Sequence, residues 1–455
     1  MTPRRDLVVC ADIGSTYTKV AAVDVGTGAL VATAAHPTTL ATDVLHGLDA
    51  AVDALRLPVT PPVYACSSAG GGLRLAVVGY EPLVSAEAGQ RVATSAGARV
   101  VHVAAGRLTG AATAALRAAK PDVVLLVGGT DGGDEEVVRH NGARLAAARL
   151  RVPVVFAGNA AARDGVVAAL AGRGIPVVAT DNVLPRIGVL APGPARAAIR
   201  EVFLRHVIGG KRLSRGPRLA TLVRAATPDA VLTAVEHLAD HGPGGDLLLV
   251  DVGGATTDVY SVLTPEAERE TGPRREVAGV LWRARTVEGD LGVRWSAPGV
   301  LAAARAEKLV DDAEAGELDA AAARRAAHPD LIADDGIDLR LARLATTIAV
   351  RRHARGEPAH RAGGAPPARP AGRDLSQVRL VVGSGGALRH APATRAAAVL
   401  AAVCGDHAGG WRTPGAAAVR VDTAYILAAA GLLAADYPAA ATALLQHRLY
   451  GESPA

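Results

Sequence analysis

Aromatic residues are scarce in this chain of 455 residues, in which phenylalanine, tryptophan and tyrosine together make up 3%. Proteins that bind single-stranded nucleic acid stack its bases on aromatic side chains. This chain has too few aromatic residues to form such a stacking surface. The net charge of +5 at pH 7 does not change this, because the basic residues form no stripe interleaved with aromatic residues. We therefore expect no nucleic-acid partner.

Cysteine is also rare. Cys10, Cys66 and Cys404 are far apart and odd in number, which fits neither a disulfide framework nor a CxxC metal site. No uninterrupted apolar run reaches the roughly 18 residues that a membrane-spanning helix needs, and no cleavable hydrophobic segment follows the basic start. These absences predict a cytoplasmic protein with no membrane partner.

Apolar residues, in contrast, make up 50% of the chain. A chain of this length is expected to form two lobes, because a single hydrophobic core rarely grows beyond roughly 250–300 residues. Apolar runs at 123–129, 152–159 and 175–182 alternate with helical stretches rich in alanine and arginine. This alternation predicts a parallel or mixed sheet that is covered on both faces, and hence the α/β fold class.

The two halves of the chain show a weak internal repeat. Residues 6–36 predict three consecutive strands joined by tight glycine turns, and residues 246–262 repeat the order of apolar strand, aspartate, glycines and second strand. We place an N-terminal lobe at 1–190 and a C-terminal lobe at 191–420. Within the latter, residues 354–373 are rich in proline, glycine and arginine, which predicts a flexible surface loop.

Three glycine-rich loops carry the chemistry. The first loop spans residues 12–19, with the sequence DIGSTYTK. Glycine permits close approach of the backbone, and the successive N–H groups of Gly14, Ser15 and Thr16 can point at phosphate oxygens. The ammonium of Lys19 would lie against the β and γ phosphates. Alone, such a hairpin is structural at least half of the time.

The second loop spans residues 251–258, with the sequence DVGGATTD. An aspartate at the end of a buried apolar strand is costly unless it is hydrogen-bonded or near a cation, and Mg²⁺ with its water shell is a natural partner. We therefore predict that Asp12 and Asp251 are catalytic and hold the metal. The other predicted phosphate contacts in this loop are Gly253, Gly254, Thr256 and Thr257. The alternative is a structural β-hairpin with a capping aspartate.

The third loop spans residues 383–387, with the sequence GSGGA, and follows an apolar strand. A turn from a strand into a helix through glycines suits adenosine or ribose packed against bare backbone, although such turns are common in α/β proteins. Its predicted nucleotide contacts are Gly383, Ser384, Gly385 and Gly386.

In this order, the three loops resemble those of the actin, hexokinase and heat-shock-chaperone superfamily. The resemblance implies two ribonuclease-H-like lobes that close over ATP or ADP with Mg²⁺, and a C-terminal helix at 421–455 that returns to the hinge. Within that superfamily the chain is similar to the MutL/GlmL type associated with glutamate (methylaspartate) mutase. The further segments that carry this similarity are LVGGTDGG at 126–133, FAGN at 156–159, DNVLPRIGVL at 181–190 and RTVEGDLGVR at 285–294.

This similarity implies an ATPase that serves as an accessory or reactivating factor for an adenosylcobalamin-dependent aminomutase, and it leaves the need for a small second subunit open. It also implies that Glu288 and Asp290 lie near the base and ribose. Asp131 follows a buried strand at the carboxyl end of a sheet, where ligands bind in such folds. It is predicted either to orient the attacking water or to cap the next helix.

Three other hypotheses stay open. A small-molecule kinase would need a substrate base, for which Asp131 is the one candidate. An ATP-dependent hydrolase resembling hydantoinase A and 5-oxoprolinase is suggested by the likeness of their DxGGTxTD loop to DVGGATTD. A nucleotide-gated scaffold would bind ATP and assemble partners with negligible turnover.

Overall fold

The computed structural model describes residues 6–69, 73–148, 150–207, 213–242, 245–264, 282–331, 336–355 and 373–450. The strands are β1 (Leu7–Ile13), β2 (Tyr17–Asp24), β3 (Ala29–Pro37), β4 (Val63–Ser67), β5 (Leu73–Gly79), β6 (Ala98–Ala105), β7 (Val123–Leu126), β8 (Val154–Phe156), β9 (Val177–Ala179), β10 (Val223–Ala226), β11 (Asp246–Val252), β12 (Thr257–Val262), β13 (Arg283–Glu288), β14 (Val378–Ser384) and β15 (Ala418–Val421).

The α-helices are α1 (Val44–Ala54), α2 (Ser85–Ser95), α3 (Gly110–Ala118), α4 (Glu136–Ala147), α5 (Arg163–Ala171), α6 (Pro192–Val202), α7 (Arg218–Leu222), α8 (Thr227–His241), α9 (Ala297–Ala306), α10 (Asp312–Ala327), α11 (Ile337–Arg355), α12 (Gly386–Arg389), α13 (Ala393–Ala401), α14 (Ile426–Leu433) and α15 (Pro438–Leu449). Most of the predicted loop at 354–373, namely residues 356–372, lies outside the described residues. No described helix combines the length and the apolar character needed to cross a membrane.

Two of the three sheets formed by the described residues share one topology. The first has the order β3-β2-β1-β4-β10 and the second the order β13-β12-β11-β14-β15. In each, the first three strands along the chain pair antiparallel and the last two add in parallel. The predicted α/β class is thus confirmed. The two equivalent sheets are consistent with the two ribonuclease-H-like lobes that the resemblance implies.

The third sheet has the order β6-β5-β7-β8-β9 and is entirely parallel. The parallel strands expected from the apolar runs are present here as β7, β8 and β9, and buried clusters cover both faces of the sheet. Strands β4 and β10 are parallel neighbours in the first sheet, so the chain must cross over between them. The whole third sheet lies within this crossover connection. Strand β10 belongs to the first sheet although it follows residue 190. The lobe limits at 190 and 420 stay predictions.

One hydrophobic core joins the first and second sheets. It contains Val8 of β1, Leu249 of β11 and Leu232 of α8, together with buried residues of α14 and α15. Helices α8 and α14 approach closely at Gly431, where an added Cβ would lie 1.8 Å from the Ala230 carbonyl oxygen. The first and second sheets therefore pack against the same two helices, α8 and α14.

The C-terminal segment contains two helices, where the prediction placed one. Helix α14 ends at Leu433 and α15 begins at Pro438. Proline has no N–H to donate and clashes with the preceding turn, so it begins a helix more readily than it continues one.

Candidate functional site

Asp12 lies near the end of β1 and faces Lys19 across the β1–β2 hairpin. Its Oδ2 is 3.6 Å from the Lys19 Nζ. Its Oδ1 accepts a hydrogen bond of 2.6 Å from the hydroxyl of Thr227, the first residue of α8, and a weak contact of 3.7 Å from the Cys66 thiol. Three elements therefore fix this carboxylate.

Asp251 occupies the equivalent position on β11, but it faces Asp258 across the β11–β12 hairpin. Burial, reinforced by the charge of Asp258, raises the pKa of Asp251 to about 6, although Lys19 and the hydroxyl of Ser384 act to lower it. A carboxylate whose pKa is raised in this way favours a divalent cation that would stabilise its ionised form.

Arg285 of β13 compensates the charge of Asp258. Its Nη2 donates to Asp258 Oδ1 at 2.7 Å, and its Nη1 donates to the carbonyl of Thr94 at 3.3 Å. The arginine is 5% exposed. It therefore links the second loop to α2, which covers the third sheet.

Lys19 contacts Tyr425 in addition to Asp12. The centroid of the Tyr425 ring is 3.9 Å from its Nζ. Although burial acts to lower it, Asp12, Tyr425 and Asp251 raise the pKa of Lys19 above its ordinary value. The structure thus brings together the predicted Asp12, Lys19 and Asp251.

The third loop abuts the second. Strand β14 pairs with β11 so that Ser384 lies beside Asp251. Gly385 has a φ of 106°, and an added Cβ there would lie 2.1 Å from the carbonyl oxygen of Val252. Glycine is therefore required at this position, because no side chain fits between the loops. As predicted, the loop enters a helix at Gly386.

The backbone donors of the first two loops are arranged differently from the prediction at the first glycine of each. The N–H of Gly14 donates to the carbonyl of Tyr17 at 3.1 Å, and that of Gly253 donates to the carbonyl of Thr256 at 2.9 Å. These two bonds close the turns. Within the described residues, the N–H groups of Ser15, Thr16 and Gly254 make no such bond, so they are the donors that can meet phosphate.

The two predicted threonine donors also differ. The hydroxyl of Thr257 donates to the carbonyl of Leu291, which occupies its one proton. The hydroxyl of Thr256 makes only a long contact of 3.4 Å with Asp258. Of the pair, Thr256 is the better candidate for a ligand contact.

Glu288 is the last residue of β13, beside the second loop, where it pairs with Thr257. Arg352 of α11 donates to the Glu288 carboxylate at 2.8 Å and to Asp290 at 2.7 and 3.0 Å. The two predicted base and ribose contacts are thus tied to one arginine, and their role toward a nucleotide stays a prediction.

Asp131 lies at the carboxyl end of the third sheet. Its exposed carboxylate accepts hydrogen bonds of 3.0 Å from the N–H of Ala160 and from the side chain of Asn182. It does not cap the next helix, because Asp134 is the residue whose carboxylate accepts from Val137 at the start of α4. Within the described residues no hydrogen bond or ion pair joins Asp131 to the three loops.

Three residues at the site carry no local sequence signal. Thr227 holds Asp12, Tyr425 contacts Lys19, and the guanidinium carbon of Arg389 lies 4.4 Å from the centroid of the Tyr425 ring. The Thr-Pro pair that begins α8 indicates a helix start but not a contact with β1. All three follow from how α8, α12 and α14 pack.

The chemistry of the site fits Mg²⁺. Two carboxylates, Asp12 and Asp251, come from equivalent strand ends, and the described residues contain no group of three or more histidine, cysteine, aspartate or glutamate side chains that could cage a metal. Mg²⁺ is usually bound by one or two carboxylates together with waters and substrate phosphates. This donor set suits that mode.

Comparison with known proteins supports the family that the sequence segments resemble. A family model described as "MutL protein" matches residues 8–449. Protein MutL of Clostridium tetanomorphum is 35% identical over 464 residues, which cover 98% of this chain and 99% of that protein.

Among solved structures, ATP-dependent caprolactamase from Pseudomonas jessenii is 13% identical with a TM-score of 0.37, over 94% of this chain and 71% of that chain. Ethanolamine utilization protein EutJ from Carboxydothermus hydrogenoformans is 11% identical with a TM-score of 0.26, over 98% and 90%.

Proposed function

Because this chain belongs to the MutL protein family, we propose that it is an ATP-binding and ATP-hydrolysing accessory factor that reactivates an adenosylcobalamin-dependent aminomutase such as glutamate mutase. The observation that carries the nucleotide part is that Lys19 lies 3.6 Å from Asp12 and that Asp251, at the equivalent position of the second hairpin, also raises the pKa of Lys19. The client enzyme and a small second subunit are inferred from the resemblance of the sequence, and the cytoplasmic location from its few, widely spaced cysteines.

Each residue has a distinct task in this proposal. Asp12 and Asp251 would hold Mg²⁺ through its water shell, and the ion would offset the negative charge of the transferred phosphoryl group. Lys19 would bind the β and γ phosphates, and free backbone N–H groups in the first two loops would hold phosphate oxygens. The third loop would pack against adenosine.

The work done by hydrolysis would be mechanical. The first and second sheets share a core around α8 and α14, so a ligand that draws the two hairpins together would rotate one sheet relative to the other. Closure with ATP and opening after hydrolysis would change a surface that contacts the mutase and loosen a damaged cofactor from it.

The test is phosphate release from the purified full chain with Mg·ATP, with and without an inactivated mutase holoenzyme. We expect low turnover that the mutase stimulates. Asp12→Ala and Asp251→Ala should each lose turnover while circular dichroism shows a folded protein. Asp319→Ala, which removes an exposed ion pair with Arg305, is the matched control and should turn over normally.

Other outcomes of the same assay favour the other hypotheses. Stimulation by hydantoins would favour the ATP-dependent hydrolase, whose loop resembles DVGGATTD, and transfer of phosphate to an amino sugar would favour a kinase. Binding without turnover under every condition would favour a scaffold. Full turnover in either Asp12→Ala or Asp251→Ala would reject the proposed site.

A further inference from the structure

Tyr425 has an uncommon backbone conformation. It immediately precedes α14 with a φ of 55°, in the left-handed region that bulky aromatic residues rarely adopt. Capping of the helix does not require this, because the buried carboxylate of Asp422 accepts from the N–H groups of Ile426 and Leu427. Strain of this kind persists where the surroundings hold a side chain in a particular place.

The place in question is between two cations. The Tyr425 ring centroid is 3.9 Å from Lys19 Nζ and 4.4 Å from the guanidinium carbon of Arg389. Both distances lie within the range of a cation–π contact. Lys19 belongs to the first sheet, whereas Arg389 ends α12, directly after the third loop. The ring therefore joins two loops that come from different sheets.

Lys19 has room to leave this contact. A small cavity beside the ring is lined by Asp12, Lys19, Tyr425 and Arg389, among others. Lys19 is also 3.6 Å from Asp12, the carboxylate that is proposed to hold the magnesium ion. A magnesium ion that replaced Lys19 beside Asp12 would leave the Lys19 ammonium free to bind a phosphate.

We propose that Tyr425 is a positioning residue that holds Lys19 in the absence of nucleotide, and that binding of a magnesium–nucleoside diphosphate or triphosphate transfers the Lys19 ammonium from the ring to phosphate. This inference rests on the proposed nucleotide site. It adds that contacts of Lys19 and Arg389 with the Tyr425 ring hold the first and third loops together until Lys19 moves to the phosphate; we call this arrangement the latch.

The chain contains only four lysines, Lys19, Lys120, Lys211 and Lys308, so reductive methylation with ¹³C-formaldehyde gives a simple NMR spectrum. Lys19→Arg assigns the Lys19 signal. Without nucleotide, ring current from Tyr425 should shift this signal upfield of the other lysines, and Mg·ADP should move it back toward them.

Two substitutions separate the ring from the backbone. Tyr425→Phe keeps the ring and should keep the upfield signal. Tyr425→Asn removes the ring while tolerating a left-handed backbone, so its Lys19 signal should lie with the others before nucleotide is added. Because the contact no longer competes with phosphate, Tyr425→Asn should bind Mg·ADP about fivefold more tightly, the change that corresponds to about 1 kcal/mol.

Calorimetry of Mg·ADP binding distinguishes the two levels of the proposal. If Mg·ADP binds but the Lys19 signal does not move, or if Tyr425→Asn leaves that signal unchanged, the latch is wrong while the nucleotide site stands. If no binding is detected with any variant, the proposed function fails and this inference fails with it.

Discussion

The β1–β2 and β11–β12 hairpins have the same backbone but opposite charges at one position. In each, a glycine N–H closes the turn on a carbonyl three residues later, at 3.1 Å in the first and 2.9 Å in the second. Across the ladder, however, Asp12 faces a lysine and Asp251 faces an aspartate. The first hairpin therefore provides a cation, and the second concentrates negative charge.

This difference gives the two hairpins different tasks. A phosphate chain with a magnesium ion needs one positive side chain and an anionic position for the metal. The first hairpin meets the first need with Lys19, and the second meets the other with Asp251, whose pKa is raised to about 6. The internal repeat has kept the shape of the hairpin and changed its electrostatics.

The largest difference between the two hairpins is expected on removal of Arg285, which compensates the charge of Asp258 in the second hairpin. Arg285→Leu leaves Asp258 without its partner in a site where the arginine is 5% exposed. We expect the free energy of unfolding to fall by about 3–5 kcal/mol, as is usual when one member of a buried ion pair is removed. Urea denaturation measures it.

The matched control is Arg283→Leu, two residues earlier on β13. Arg283 pairs with Asp240 in an exposed bridge, so its loss should change stability by at most about 1 kcal/mol. Combining Arg285→Leu with Asp258→Leu should restore most of the loss, because a buried pair replaced by apolar residues is often neutral. Equal effects of the two single arginine substitutions would show that Arg285 does not compensate a buried charge.

A smaller effect separates the two equivalent aspartates by pH. Because the pKa of Asp251 is raised from 3.8 to about 6 in the folded protein, the fold keeps a proton that the unfolded chain releases, and stability falls as pH rises between them. Asp251→Asn removes this penalty, so it should raise the free energy of unfolding by about 1–3 kcal/mol above pH 6, with little effect below pH 4.

Asp12→Asn should act in the opposite direction at neutral pH. It takes from Lys19 its carboxylate partner at 3.6 Å, so we expect a loss of about 0.5–2 kcal/mol. Thermal and urea unfolding of both variants at pH 4 and pH 7.5, without nucleotide, give the comparison. A change of the same sign in both variants at pH 7.5 would contradict the assignment of opposite charges to the two hairpins.

Local sequence patterns predicted the hairpins well and the tertiary contacts poorly. The first and second loops could be located because an apolar strand, an aspartate and a glycine turn are adjacent in the chain. The third sheet was expected only as strands of the first lobe, since parallel strands leave no local mark of their neighbours. The contacts of Tyr425, Thr227 and Arg285 depend on elements distant in sequence.

Asp131 offers the smallest and most specific test, because it is an aspartate in a glycine turn outside both repeated hairpins. Asparagine at this position retains an oxygen that can accept from Ala160 and Asn182, so Asp131→Asn should lower stability by less than about 1 kcal/mol. If only the two repeated hairpins hold the nucleotide, phosphate release should stay within about twofold of the natural chain. A base that orients the attacking water contributes about 10²–10⁴-fold. A loss of that size with normal Mg·ADP binding would therefore add the third sheet to the site and make the two-hairpin comparison incomplete.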